Sequence, residues 1–218
     1  MRTQVEAACQ RSGRQPDSVK LIAVTKYAEW NWVEALLELG YNQLGESRPQ
    51  QLLERAELVA SPVHWHLIGQ LQRNKIRKVL PVTHLIHSID SLKLLEAIDR
   101  IAAEENEKPA LLLQVNITGE ASKQGFTADE LRREWSRIVE FKQIQISGLM
   151  TMAPLVDDLE EARPAFRGLR ELRDELNGLS TSIQLEELSM GMSHDFEIAI
   201  EEGATFIRIG SSLFTGLE

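Results

Sequence analysis

Short apolar runs alternate along the chain with longer stretches in which apolar positions recur every three or four residues. The runs are KLIAVT (20–25), NQLGE (42–46), VHWHLIG (63–69), HLIHSI (84–89), ALLLQVNI (110–117), IQISGLM (144–150), LEELSMG (185–191) and ATFIRIG (204–210). They have the length and β-branched content of strands. Between them the helical period predicts helices over 29–39, 49–59, 91–105, 128–141, 159–177 and 194–202. In the third of these, Leu94, Leu95, Ile98 and Ile101 form one face. Pro49 suits a first helical position, and Gly40 and Gly203 suit helix ends. Upstream, TQVEAACQRSG (3–13) reads as an additional N-terminal helix.

Eight strands with a helix or a loop after each spell a (β/α)8 TIM barrel with an extra N-terminal helix, one domain over residues 1–218. Continuous apolar runs such as ALLLQV fit parallel strands covered on both faces. An open doubly wound sheet uses the same alternation; eight regular units favour closure.

Composition narrows the function classes. The chain has 218 residues, 43% of them hydrophobic, enough for a sizeable core. Its 33 acidic and 24 basic residues give a net charge of -9, which argues against a nucleic-acid partner. The polar start MRTQVEAACQ lacks a signal-peptide core, and no apolar run approaches the roughly 18 residues that a membrane span needs. A cytoplasmic protein acting as a monomer, with no membrane partner, is expected. The single cysteine, Cys9, falls in the first helix and is expected to be inert.

In a barrel of this kind the chemistry sits at the C-terminal ends of the strands. There the sequence places Lys26 after strand 1, Glu46 and Ser47 after strand 2, and His64 and His66 on strand 3. Gly148 to Met150 end strand 6. SMGMS (189–193) follows strand 7, and Arg208 leads into Gly210, Ser211 and Ser212 after strand 8. The last two loops offer small residues, amides and hydroxyls where barrels commonly seat a phosphate, so Ser193, Gly210 and Ser211 form a candidate phosphate site. Capping serines in ordinary turns would look the same. Lys26 is either a lysine reaching past a strand end to water or an amine held at the barrel mouth to form a Schiff base. A ligand with an aldehyde and a phosphate joins the two observations, and pyridoxal 5′-phosphate (PLP) is that ligand. Arg208 lies two residues before Gly210, on the same strand face, and can donate to a pyridine nitrogen. Its alternative is an ion pair with a barrel carboxylate such as Glu46 or Glu187.

With these residues in place, the chain resembles the pyridoxal phosphate homeostasis protein family, which looks like the N-terminal barrel of alanine racemase standing alone. The resemblance runs through LIAVTK, LGES, WHLIGQLQRNK, HSIDS, LLLQVNITGEASKQGF, GLMTM and LSMGMSHDFEIAIEEGATFIRIGSSLF, nearly the whole chain. It implies that Lys26 carries PLP as a Schiff base. It implies that Ser193, Gly210 and Ser211 hold the phosphate with help from the Met192 backbone, and that Arg208 faces the pyridine nitrogen. His66, Met150 and Glu46 would lie around the cofactor. The chain departs from the family pattern at Ser47, often Asn, at Ala28, often basic, and at His194, often acidic.

The resemblance implies a PLP-binding regulatory or carrier protein without substrate turnover, with PLP-dependent enzymes as acceptors. An amino-acid racemase is the alternative. It needs an acid/base on each face of the substrate carbanion. The chain ends just after strand 8, and its two tyrosines, Tyr27 and Tyr41, fall away from the position that alanine racemase uses. A barrel binding a sugar phosphate is a third, PLP-free reading. His64 and His66 share a strand face and, with Asp90 or Asp195 and with His84 and His87 near strand ends, suggest a metal site, against the plainer reading of hydrogen-bonded strand histidines. The segment LQRNK (71–75) reads as a solvated helix start, a pocket rim or a partner surface.

Overall fold

A computed structural model describes residues 1–59, 62–120, 123–180 and 182–216. Ala121 and Ser122 of the GEASK motif lie outside the described residues, as do Leu217 and Glu218. Eight parallel strands close in chain order: β1 (Lys20–Val24), β2 (Gln43–Glu46), β3 (His64–Leu67), β4 (Leu85–Ile89), β5 (Ala110–Gln114), β6 (Gln145–Met150), β7 (Glu187–Ser189) and β8 (Phe206–Ile209), with β8 pairing back to β1. The expected (β/α)8 barrel is therefore closed rather than open.

Helix α1 (Arg2–Arg11) is the additional N-terminal helix, and α2 (Trp30–Glu38), α3 (Pro49–Leu58), α4 (Ile76–Val79), α5 (Leu92–Glu105), α6 (Ala128–Ile138), α7 (Arg163–Leu179) and α8 (Phe196–Glu201) follow β1 to β7 in turn. After β8 the described residues form a 3-10 turn at Ser211–Leu213. LQRNK lies on the mouth side after β3, where Arg73–Lys75 form a 3-10 turn leading into α4. Helix α6 opens with a capping box between Thr127 and Glu130, which satisfies two amide donors at its start. Helix α1 docks on α8: Arg11 pairs with Glu197 and Glu201, and Arg14 donates to the Ile200 carbonyl at 2.8 Å. Cys9 is fully buried in this contact region, and burial pushes its thiol up, which disfavours the reactive thiolate. None of the described helices is long and apolar enough to cross a membrane.

The strand period of two sorts side chains into two layers. Ile22, Leu85, Leu112, Met150 and Phe206 meet inside the barrel, while Ala23, Leu44, Leu67, Leu111, Leu149 and Ile207 face the helices in the outer core. The close approach of two strands explains one glycine. A β-carbon on Gly148 would overlap the carbonyl oxygen of Glu187 on β7.

Gly148→Ala is therefore expected to destabilise the fold by at least about 3 kcal/mol in urea unfolding, the upper end of overpacking costs. Gly178→Ala, in α7 with nothing within 4 Å of the added carbon, should be neutral or stabilising by up to about 1 kcal/mol. Equal effects at both positions would contradict this packing of β6 on β7.

Candidate functional site at the barrel mouth

The loops that follow the strands build the mouth. Strand β1 ends at Val24, so Lys26 stands in a turn just beyond it rather than on the strand itself. That turn is held from outside the barrel. Arg55 on α3 donates to the carbonyls of Thr25 (2.7 Å) and Ala28 (2.5 Å), and Gln51 donates to the carbonyl of Lys26 (3.1 Å). The Lys26 side chain is exposed, its amine 4.9 Å from the centroid of the Tyr27 ring. Of the two readings of Lys26, the protein's own chain supports the exposed one, because the turn carries the amine past the strand layer to the rim.

Glu46 is likewise displaced from its expected place beside the cofactor. It shares the outward parity of Leu44, whereas the inward position is Gly45, where a β-carbon would meet Ile22 Cγ2 at 2.7 Å. Its carboxyl, fully buried, accepts from Thr25 Oγ1 and Arg55 Nη1, each at 2.5 Å. Burial pushes this carboxyl up, more than the Thr25 hydroxyl and the Arg55 guanidinium pull it down. Glu46 therefore braces the Lys26 turn through Arg55 and does not face the barrel axis.

The loops after β7 and β8 meet. Gly191 has φ +91, and a β-carbon there would fall 2.6 Å from Ala199 Cβ, so only glycine lets the SMGMS turn fold onto α8. The Gly210 amide donates to Ser193 Oγ at 3.3 Å, joining the two loops. Ser211 is exposed and opens a 3-10 turn, whose first amides have no acceptor within the turn. Met192 differs from expectation: its amide donates to Asp195 Oδ1 at 2.6 Å and is not free for a phosphate.

Below these loops lies Arg208, 5% exposed. It stands level with Ile22 of β1 and points inward with Phe206. Neither suggested carboxylate reaches it, for Glu46 pairs with Arg55 and Glu187 pairs with Lys20. Among the described residues no carboxylate lies within ion-pair distance of its guanidinium. Instead Nη1 donates to Ser189 Oγ at 2.7 Å and Nη2 to the Thr151 carbonyl at 2.9 Å. Burial pulls Arg208 down to about 10, with Asp195 acting the other way, so it is still a cation at neutral pH.

His66 and Met150 lie inside the barrel, both buried. Both nitrogens of His66 are engaged, Nε2 with Gln43 Oε1 at 2.8 Å and Nδ1 with His87 Nε2 at 2.9 Å. It supports the site from below and has no nitrogen left for a ligand. Burial pulls His66 down to about 3, aided by His84, His64 and Lys20, and holds His87 well below the ordinary value. Among the described residues no three His, Cys, Asp or Glu side chains gather as metal ligands. A depression of about 510 Å³ lies at the opposite end of the barrel, by Gln145 at the start of β6 and Glu186 just before β7. Sequence reasoning missed Ser189, His87 and Gln43 as parts of the site. Their strand parity was the available signal.

Residues 1–218 match the family described as alanine racemase, N-terminal domain. The chain is 39% identical over 211 residues to the pyridoxal phosphate homeostasis protein of Aquifex aeolicus, covering 96% of this chain and 92% of that one. It is 41% identical over 201 residues to the protein of that name from Synechocystis, covering 91% and 92%. The structure of PipY from Synechococcus elongatus with PLP bound is 38% identical, with a TM-score of 0.86, covering 97% of this chain and 99% of that one. Alanine racemase of Clostridium difficile, at 14% identity and a TM-score of 0.76, shares the fold over 97% of this chain and 55% of its own.

The low value for His66 sets a pH dependence. An unfolded histidine binds a proton below about pH 6.5, whereas buried His66 stays neutral down to about 3. Between these values only the unfolded state takes the proton, so this part of the stability is complete above about pH 6.5 and is lost as pH falls towards 3. In urea unfolding near pH 5, His66→Gln should flatten the pH slope by about one proton, about 1.4 kcal/mol per pH unit. An unchanged slope would mean that His66 is charged in the folded protein.

Proposed function

The chain belongs to the pyridoxal phosphate homeostasis protein family, and we propose that it binds PLP at the barrel mouth and acts on cofactor supply rather than on a metabolite. The observation that carries this reading is Arg208, a buried cation with no carboxylate partner among the described residues, set beneath the mouth. A buried charge of this kind calls for an acceptor or an anion. PipY, similar over nearly the whole chain, has PLP bound in its structure. A pyridine nitrogen would meet Arg208, a phosphate would meet Ser193 and Ser211 with Gly210, whose amide holds Ser193 Oγ, letting the backbone come close, and the aldehyde would be reached by the Lys26 amine as a Schiff base. Met150 would wall the ring from below.

The absence of turnover is part of the proposal. When bound, PLP supplies an electron sink, but Arg208 can only donate, which keeps the ring nitrogen unprotonated and the sink weak. Tyr27 adjoins Lys26 in the same turn, so the two approach the mouth from one side, and Tyr41 precedes β2 at the opposite end of the barrel. Racemisation needs acid/base groups on opposite faces. Exposure of Lys26 suits transfer of the cofactor to water or to an acceptor amine, as on a PLP-dependent enzyme. The names of the curated relatives, as homeostasis proteins, agree with this reading.

Visible absorption before and after borohydride, followed by peptide mass analysis, tests the attachment. The PLP mass should fall on the peptide containing Lys26, and Lys26→Ala should fold without the imine absorbance. A label on another lysine would defeat the assignment. Pyridoxal lacking the phosphate should bind at least about tenfold more weakly, the scale of one charge-assisted hydrogen bond. Ser193→Ala combined with Ser211→Ala should narrow that gap. Lys26-dependent turnover of any amino acid would move the reading to an enzyme.

A further inference from the structure

A continuous hydrogen-bond chain crosses the barrel interior. Arg208 Nη1 meets Ser189 Oγ at 2.7 Å, Ser189 Oγ meets His87 Nδ1 at 2.8 Å, His87 Nε2 meets His66 Nδ1 at 2.9 Å, and His66 Nε2 meets Gln43 Oε1 at 2.8 Å. We propose that Ser189 and His87 are positioning residues for Arg208, in a relay that runs one way from the guanidinium to Gln43 and keeps Arg208 a fixed donor without neutralising its charge. The meaning of this relay for a ligand rests on the reading that Arg208 faces a cofactor ring; the relay itself does not.

The direction follows from counting protons. Arg208 only donates, so Ser189 Oγ accepts from it. The one Ser189 proton then goes to His87 Nδ1. His87 is therefore protonated at Nε2 and donates to His66 Nδ1. His66 is protonated at Nε2 and donates to Gln43 Oε1. At the far end Gln43 turns its carbonyl oxygen to His66, with its amide nitrogen 3.5 Å from Asn42 Oδ1. In the reverse direction Ser189 would accept twice, and its own proton would need another acceptor at a fully buried position. Both histidines are neutral in the folded protein, so the relay carries no negative charge to Arg208.

The second Nη group donates to the Thr151 carbonyl just after β6. The guanidinium is thus gripped from neighbouring strands and its plane is fixed. A neutral grip has a consequence that a carboxylate grip would lack. The full positive charge is presented to the mouth, which selects a ligand with an unprotonated ring nitrogen or an anion there and rejects an N–H.

The test begins on the protein without ligand. Long-range proton–nitrogen correlation on histidine-labelled protein should find His66 and His87 both protonated at Nε2. Arginine side-chain spectra should show slowly exchanging Arg208 Nη protons, lost in Ser189→Ala. Two substitutions of His87 separate positioning from packing. Asn places an acceptor where Nδ1 stood, whereas Gln reaches only the Nε2 position. His87→Asn should keep the Arg208 signals and bind PLP within about threefold of the parent. His87→Gln and Ser189→Ala should lose the signals and bind about tenfold more weakly, the size of one hydrogen bond to a charged group. A packing role alone predicts the opposite order for the two His87 variants, since Asn leaves the larger void. A proton on Nδ1 of His87, or loss of the Arg208 signals in His87→Asn, would overturn the relay. If the parent binds no PLP while the tautomers and Arg208 signals are as described, the functional reading falls and the relay stands.

Discussion

Burying a cation without a counter-ion is the constraint on which the site depends. Removing a guanidinium from water costs several kcal/mol even after relaxation. Arg208 is 5% exposed and among the described residues receives a serine oxygen and a backbone carbonyl in return. A closed barrel makes this tenable, because the interior can be furnished from several strands at once. Ser189 comes from β7, His87 from β4, His66 from β3 and Gln43 from β2. Each polar atom in that series has a partner inside a layer otherwise built from Ile22, Leu85, Leu112, Met150 and Phe206. A half-satisfied version would be worse than an apolar core, so the series must be complete.

A second buried charge sits one layer out and is handled in the opposite way. Glu46 is fully buried between strand and helix, and there a cation, Arg55, meets it at 2.5 Å. The same guanidinium also takes the carbonyls of Thr25 and Ala28. Those bonds connect the ion pair to the backbone around Lys26. The two arginines therefore have separate tasks. Arg55 is neutralised and shapes the turn, while Arg208 is left charged and faces the mouth.

Much of this was legible in the sequence, because eight strands with a helix or a loop after each favour a barrel closed in chain order, although the short helix α4 carried no period of its own. Arg208 and the small-residue loops were legible for the same reason: parity with Gly210 points Arg208 inward, and the order of strands puts SMGMS beside GSS. Glu46 was misplaced by reading strand ends without parity, for in LGE the inward residue is Gly45. Ser189 was read as part of a turn, although it is the last inward residue of β7. The pairing of His66 with His87 was out of reach, since it depends on the register that brings β3 beside β4 and on both side chains turning to a common point. An exposed Lys26 was one of the two readings that the sequence left open, because no sequence period states where a strand gives way to a turn.

The contrast between the two basic residues at the mouth bears on carriage versus catalysis. The Lys26 backbone is fixed through the carbonyls of Thr25, Lys26 and Ala28, yet its amine is open to solvent. Arg208 is shielded and gripped. Carbanion chemistry profits from excluding water around the reacting carbon and from a strong electron sink. In the proposed reading the first is denied by the open lysine and the second by a donor-only arginine. Reversible capture asks for the converse: water or an acceptor amine must reach the attachment point, while recognition of ring and phosphate stays in place. A fixed donor below and an exposed amine at the rim meet both demands with one barrel end.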